Sequence, residues 1–219
     1  MIGVIYLTTG RLDTALFVGS ADVLIKLGLY YVHERVWDNI KFGRKEFQPF
    51  TILFTGLPNS GKSILADEMF LYFRKRHIKV ERLDGDDVRT LFPLQGFNRE
   101  ERNIYLMRMG FFASLLQKNG VSVVASFIAP YEESRKYMRN ICRSNFIEVY
   151  VSTPLDICEK NDEWGMYEKA RKGELQHFVG IHEPYEIPKN PEIEIDMSVL
   201  STTDGVKKIL RYMHKTKKL

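Results

Sequence analysis

The chain has 219 residues, 44% of them hydrophobic and 27% charged, with a formal net charge of +4. That length holds one ordinary α/β domain and a short appendage, and that composition excludes a disordered chain. Much of the charge sits at the end, in Lys207, Lys208, Arg211, Lys215, Lys217 and Lys218. It reads as a solvated helix face with a basic end, so no nucleic-acid partner is expected.

The first 45 residues differ from the rest. Ile2–Leu7 is a short apolar run, and Ala15–Val32 is apolar apart from Asp22 and Lys26, which lie four apart and share a helix face. A spanning helix needs roughly 20 apolar residues. Tyr30, Tyr31, Arg35 and Trp37 at its end suit an interfacial anchor on the cytoplasmic side. No basic n-region or small-residue cleavage site marks a signal peptide. Two readings stay open for residues 1–45: a membrane-associated helix, or a helix packed on the following domain or a partner.

From Gln48 to the end at residue 219, strand and helix patterns alternate. Strands are predicted at Phe50–Thr55, Val80–Leu83, Val121–Ser126 and Phe146–Val151, with a weaker one at Glu192–Ile195. Helical periodicity covers Lys62–Arg76, Arg99–Lys118, Glu132–Cys142 and Thr203–Lys215. The alternation predicts a three-layer α/β sandwich around a parallel sheet of about five strands. The two cysteines, Cys142 and Cys158, both lie in apolar stretches and are expected as buried reduced thiols, which points to a reducing, cytoplasmic compartment.

Gly56-Leu57-Pro58-Asn59-Ser60-Gly61-Lys62-Ser63 follows the first strand and opens the first helix of this region. That is the setting of a phosphate-binding loop. Its glycines let successive main-chain N–H groups converge on phosphate oxygens. Lys62 is placed to reach the β- and γ-phosphates of ATP, and the Ser63 hydroxyl to ligate Mg²⁺. A phosphotransferase of this type also needs a carboxylate near the metal, at the end of a neighbouring strand. Asp84-Gly85-Asp86-Asp87-Val88-Arg89 supplies candidates just after Val80–Leu83.

Six segments resemble the adenylylsulfate (APS) kinase family, over about Gln48 to Leu210. Leu83–Arg89 (LDGDDVR) is similar to its LDGDNVR, Gly96–Arg102 (GFNREER) to its GFS-x-x-DR, and Ser126–Tyr131 (SFIAPY) to its SFISPY. Thr153–Asp162, Tyr167–Ile181 and Glu183–Glu192 follow in order. The resemblance implies a P-loop fold, Mg-ATP as phosphoryl donor, and phosphorylation of the APS 3′-hydroxyl to give PAPS. It makes Asp86 the candidate for activating the acceptor hydroxyl and puts Asp84 near the metal. It assigns Arg89 and Arg102 to the phosphosulfate, Phe97 and Phe178 to the acceptor adenine, Ile128 to the substrate pocket, and Lys169 to a lid spanning Asp162–Gly180. A homodimer and an ATP sulfurylase partner are further implied candidates.

Some positions depart from the family pattern. Ala129 stands where a serine can be phosphorylated, Tyr105 where an asparagine contacts the acceptor, Asn161 and Trp164 in the lid motif, and Val179 where threonine is common. Residues 29–37 also resemble the end of a small predicted-membrane domain that occurs fused to APS kinases; under the membrane reading this implies a cytoplasmic kinase at the inner face of a membrane. Two other readings remain at this point: a sister kinase for another small anionic nucleotide or metabolite, and a non-catalytic nucleotide-binding module tethered to a membrane.

Overall fold

The computed structural model describes residues 11–39, 48–85, 88 and 96–218. The chain divides into two compact units, Met1–Glu46 and Phe47–Leu219.

In the first unit a single helix, α1, runs over Leu12–Asn39. The stretch Leu16–Trp37, 22 residues with a mean hydropathy of 1.2, is long and apolar enough to cross a membrane. Asp22 and Lys26 make the expected pair at 2.8 Å, so the two charges within the apolar run Ala15–Val32 offset each other. Near its end Trp37 Nε1 donates to His33 Nε2 at 2.7 Å and Arg35 Nε to the Tyr31 hydroxyl at 3.3 Å.

The second unit is built on five parallel strands: β1 (Thr51–Gly56), β2 (Val80–Asp84), β3 (Ser122–Ser126), β4 (Phe146–Val151) and β5 (Ile193–Ile195). They lie in the order β2-β3-β1-β4-β5. Parallel neighbours need crossover connections, and helices supply them. These are α2 (Lys62–Lys75), α3 (Arg99–Lys118) and α4 (Glu132–Cys142), with short helices α5 (Leu155–Lys160) and α6 (Met166–Arg171) before the last strand; α7 (Thr202–Lys215) follows that strand and packs back on the sheet. The central strands β1 and β3 are buried along their whole length, which is why their sequences read as continuous apolar runs rather than alternating ones.

Two cores flank the sheet. On one face Leu65, Met69 and Phe73 of α2 and Ile209 and Met213 of α7 pack on Ile52, Phe54 and Val149. On the other Leu106, Met109 and Ala113 of α3 and Met138 of α4 pack on Leu53, Val123 and Ala125. This is the expected three-layer sandwich. The helix limits follow local chemistry: Asn98 and Glu101 form a reciprocal capping box at the start of α3, and Ser201 caps α7 by accepting from the Asp204 amide.

Two of the unit's buried features are electrostatic or thiol in kind. The Arg135 guanidinium, almost wholly buried, faces Glu148 at 3.0 Å, and Arg139 joins Glu148 to Glu192. Both cysteines are buried and free, as expected, and burial pushes the Cys158 thiol up to about 11, so it is not a thiolate at neutral pH.

Candidate active site

The site gathers at the carboxyl ends of β1, β2 and β3. Between β1 and α2 the chain closes a tight loop over Gly56–Ser63. A Cβ on Gly56 would stand 2.5 Å from the Val151 carbonyl oxygen, so only glycine fits there. Asn59 (φ 56°) and Gly61 (φ 94°) take left-handed conformations that curl the loop, and Ser60 N donates back to the Leu57 carbonyl at 3.3 Å. Thr153 Oγ1 fixes the far side by donating to the Ser60 carbonyl at 2.8 Å. No side chain caps the first turn of α2, so its main-chain N–H groups and dipole face the loop, the arrangement that suits an anion. Lys62 is only 7% exposed, and its ammonium donates to the Leu57 carbonyl at 2.5 Å and to Ser60 Oγ at 3.4 Å.

Beside the loop, Ser63 Oγ donates to Asp84 Oδ2 at 3.2 Å and lies 3.2 Å from Ser126 Oγ. The sheet explains this meeting. Asp84 ends β2 opposite Ser126 of β3, and Ser126 in turn lies opposite Phe54 of β1. Asp84 is 6% exposed; Arg82, at 2.9 Å, compensates its buried charge. Asp86 and Arg89, with Asp87, lie outside the described residues. Just before them, the Tyr105 hydroxyl donates to the Gly85 carbonyl at 3.2 Å while its ring meets Phe127 edge-on. The residue that departs from the family pattern therefore holds Gly85, directly after the strand end at Asp84.

A second part of the site is organised by Arg102, 6% exposed. Its Nε donates to the Phe97 carbonyl at 2.7 Å and its Nη2 to the His177 carbonyl at 2.9 Å, so one guanidinium ties together the segments carrying Phe97 and Phe178. Phe97 is half-exposed, whereas Phe178 is buried with its ring edge-to-face on Tyr167 at 4.9 Å. His177 Nδ1 contacts Glu183 Oε1 at 2.7 Å, and the Tyr131 hydroxyl donates to Glu183 Oε2 at 3.0 Å. The His177 bond leads the effects that hold the Glu183 carboxyl below its ordinary value, and burial followed by the Glu183 bond raises Tyr131 to about 12. Tyr131 is thus a neutral donor at any physiological pH.

The remaining positions fall around this frame. The half-buried Ile128 turns its carbonyl to the start of the phosphate loop, accepting from Thr55 Oγ1 at 2.7 Å and Gly56 N at 3.4 Å. Ala129 has φ 44°, a conformation that costs an alanine about 1–2 kcal/mol; its carbonyl is held by Arg135 Nη1 at 2.7 Å. Lys169 is exposed on α6 and donates to the Trp164 carbonyl at 3.3 Å. Trp164 itself is 78% exposed, and Asn161 is exposed at the end of α5. Sequence reasoning did not single out Ser126, Thr153, Tyr167, His177 or Glu183. All five stand inside the matched segments, which was the available signal.

A parallel sheet whose first strand runs through a glycine-hinged loop into a lysine- and serine-bearing helix, beside a buried aspartate, defines a P-loop phosphotransferase. A family model described as Adenylylsulphate kinase matches residues 48–196. The chain belongs to the adenylylsulphate kinase family. It is 42% identical to the probable adenylyl-sulfate kinase of Pseudomonas aeruginosa over 167 residues, covering 76% of this chain and 78% of that protein. To the adenylyl-sulfate kinase of Rippkaea orientalis it is 43% identical over 163 residues, 74% of this chain and 90% of the relative. The solved Mycobacterium tuberculosis APS kinase CysC, in complex with AMPPNP and APS, superposes with a TM-score of 0.72 at 34% identity over 76% of this chain and 98% of its own. A gluconokinase from Sinorhizobium meliloti 1021, at 14% identity and a TM-score of 0.53, shares the fold. A second family model, described as Predicted membrane protein (DUF2061), matches residues 1–38.

Proposed function

We propose that the phosphate loop, Asp84 and the segments joined by Arg102 carry the adenylyl-sulfate kinase reaction of this chain, with the kinase domain over residues 48–219. In that reaction the APS 3′-oxygen forms a bond to the γ-phosphorus of ATP, the bond from that phosphorus to the β–γ bridging oxygen breaks, and PAPS and ADP leave. The single observation that carries the reading is the meeting of Ser63 with Asp84 and Ser126 beside the buried Lys62, in a chain of this family.

Each group then has a task. The loop amides and Lys62 offset the charge of the transferring phosphoryl, where positioning and electrostatics supply most of the catalysis. Ser63 and Asp84 offer hard oxygen donors 3.2 Å apart, a set that fits Mg²⁺, which takes one or two protein oxygens and completes its shell with phosphates and water. When bound, Mg²⁺ neutralises β- and γ-phosphate charge. Asp86 accepts the proton of the 3′-hydroxyl. Arg89 and Arg102 face the phosphosulfate, Phe97 and Phe178 the adenine, Ile128 lines the pocket, and Lys169 approaches the phosphates from a lid that excludes water. Residues 1–45 form a separate membrane-associating segment, supported by the apolar helix α1 and by its family match.

Purified full-length protein incubated with Mg-ATP and APS should yield ADP and PAPS in equal amounts. ATP consumption without PAPS, or faster transfer to another anionic acceptor, would overturn the assignment. Fractionating cells that express the chain with and without residues 1–45 tests the membrane reading: the longer form should pellet with membranes and the shorter remain in the supernatant.

A further inference from the structure

Leu57, Pro58 and Asn59, which follow the first glycine of the phosphate loop, all make contact with the acceptor-side lid. Leu57 packs against a small cluster formed by Tyr167, Ala170 and Phe178. The Pro58 carbonyl accepts from the Tyr167 hydroxyl at 2.9 Å. Asn59, exposed and left-handed at φ 56°, donates from Nδ2 to Asp162 Oδ1 at 3.0 Å. The other Asp162 oxygen, Oδ2, accepts from the Tyr167 amide at 2.7 Å, in the first turn of α6.

One carboxylate therefore joins two bodies. Through Oδ1 it reads the apex of the loop that receives the triphosphate; through Oδ2 it holds the start of the helix that carries Lys169 and, by way of Tyr167, the Phe178 ring. Gly165, which precedes α6, has φ 64° and no side chain to cap the helix, so Asp162 takes that task from three residues upstream. Tyr167 makes the link stiff: it is almost fully buried, and burial pushes its phenol well above the ordinary tyrosine value, keeping it a donor.

We propose that Asp162 is a positioning residue that couples the phosphate loop to the acceptor lid, so that ordering of the loop by nucleotide sets the placement of Lys169 and Phe178 for APS. Asp162 touches neither reacting atom; it acts through Asn59 and Tyr167. The link depends on Asn59, whose Nδ2 donates to the carboxylate and whose side chain also tolerates the left-handed backbone. The inference rests on the kinase reading, which the turnover of the unmodified chain tests on its own.

The experiment is a double-mutant cycle on the full chain with Asp162→Ala and Asn59→Gly, the glycine preserving the left-handed backbone while removing the amide. Steady-state assays vary APS at saturating Mg-ATP, and calorimetry gives the Kd of ATP. The expected result is an APS KM raised roughly tenfold in Asp162→Ala, a smaller rise in Asn59→Gly, and a double variant no worse than Asp162→Ala, with the change in ATP Kd well below that in APS KM. Effects of the two substitutions that simply multiply, or equal losses for ATP and APS, would overturn the proposal. Where Asp162→Ala does not fold, Asp162→Asn takes its place in the cycle, since it retains one of the two accepting oxygens. If unmodified protein makes no PAPS, the kinase reading has failed rather than the coupling.

Discussion

Replacing Arg102 with lysine keeps the positive charge and most of the volume but changes the number of fixed donors. The guanidinium spans 2.7 Å to the Phe97 carbonyl and 2.9 Å to the His177 carbonyl, the latter 75 residues further along the chain than Arg102. A lysine offers one nitrogen on a flexible stem, which reaches one of those carbonyls and leaves the other without that partner. A bond from a charged donor contributes about 1.5–3 kcal/mol. Taking about 2 kcal/mol for the lost one, the acceptor-side arrangement is disfavoured by roughly 30-fold. If that arrangement is what APS binds, Arg102→Lys should raise the KM for APS by about that factor, while the Kd for ATP shifts by no more than about threefold. The assay follows ADP release with APS varied at saturating Mg-ATP, beside calorimetry with ATP alone. An APS KM within about twofold of the unmodified enzyme, in a variant that melts normally, would refute the assignment of the guanidinium as the tie between the two segments.

Lys62→Ala should lower kcat by at least about a hundredfold, on the order of 3 kcal/mol of barrier, in single-turnover measurements at saturating ATP; near-normal turnover would remove Lys62 from the phosphoryl-transfer step. Asp86→Asn should abolish PAPS formation while calorimetry still shows ATP binding, and a loss of the folded state instead would assign Asp86 a structural role. The acid limb of stability should depend on Glu192. Burial raises that carboxyl, but bonds from Arg139 and the Glu148 amide outweigh it and hold the group below the ordinary glutamate value. A depressed folded-state pKa gives stability that is present above the unfolded value of ~4.3 and is lost as pH falls through the folded one. Melting temperature should therefore drop below that pH, and Glu192→Gln should flatten the drop; an unchanged slope in the variant would place the acid sensitivity elsewhere.

Most of the frame was legible because its signals are local. The predicted limits of β4, α3 and α4 agree with the structure residue for residue, and the other predicted strands and helices of the second unit agree to within one at each end. Helices α5 and α6 escaped notice because six residues give fewer than two turns, too few for a 3.6-residue period to stand out. Arg102, singled out through the family resemblance alone, shows what local signals leave out. In sequence it sits in a charged helical run and looks like a surface residue. It is buried because a carbonyl from a distant segment comes to meet it, and no local pattern encodes that. Ala129 is similar: nothing in an alanine announces a left-handed backbone, which here is imposed by Arg135 and Thr55 gripping its carbonyl.

The same distinction explains why the phosphate loop and Asp84 read more clearly than the segments around Arg102. Gly56, Asp84 and Ser126 are the last residues of three neighbouring strands, and the ladder fixes their relative height: Asp84 pairs with Ser126, and Ser126 with Phe54 two residues before Gly56. A slip of one residue in any strand would turn its buried side chains to the opposite face, so the cores themselves hold the phosphate loop against the carboxylate. In the order β2-β3-β1-β4-β5, β1 connects outward to β2 on one side while β4 and β5 extend the other, and the crevice at such a reversal is where open α/β sheets bind ligands. The proposed acceptor contacts have no such register behind them. Phe97, Lys169 and Phe178 sit on segments tied together by Arg102, Asp162 and Tyr167, side chains reaching across loops, and single substitutions among these are the ones expected to move acceptor KM more than ATP affinity.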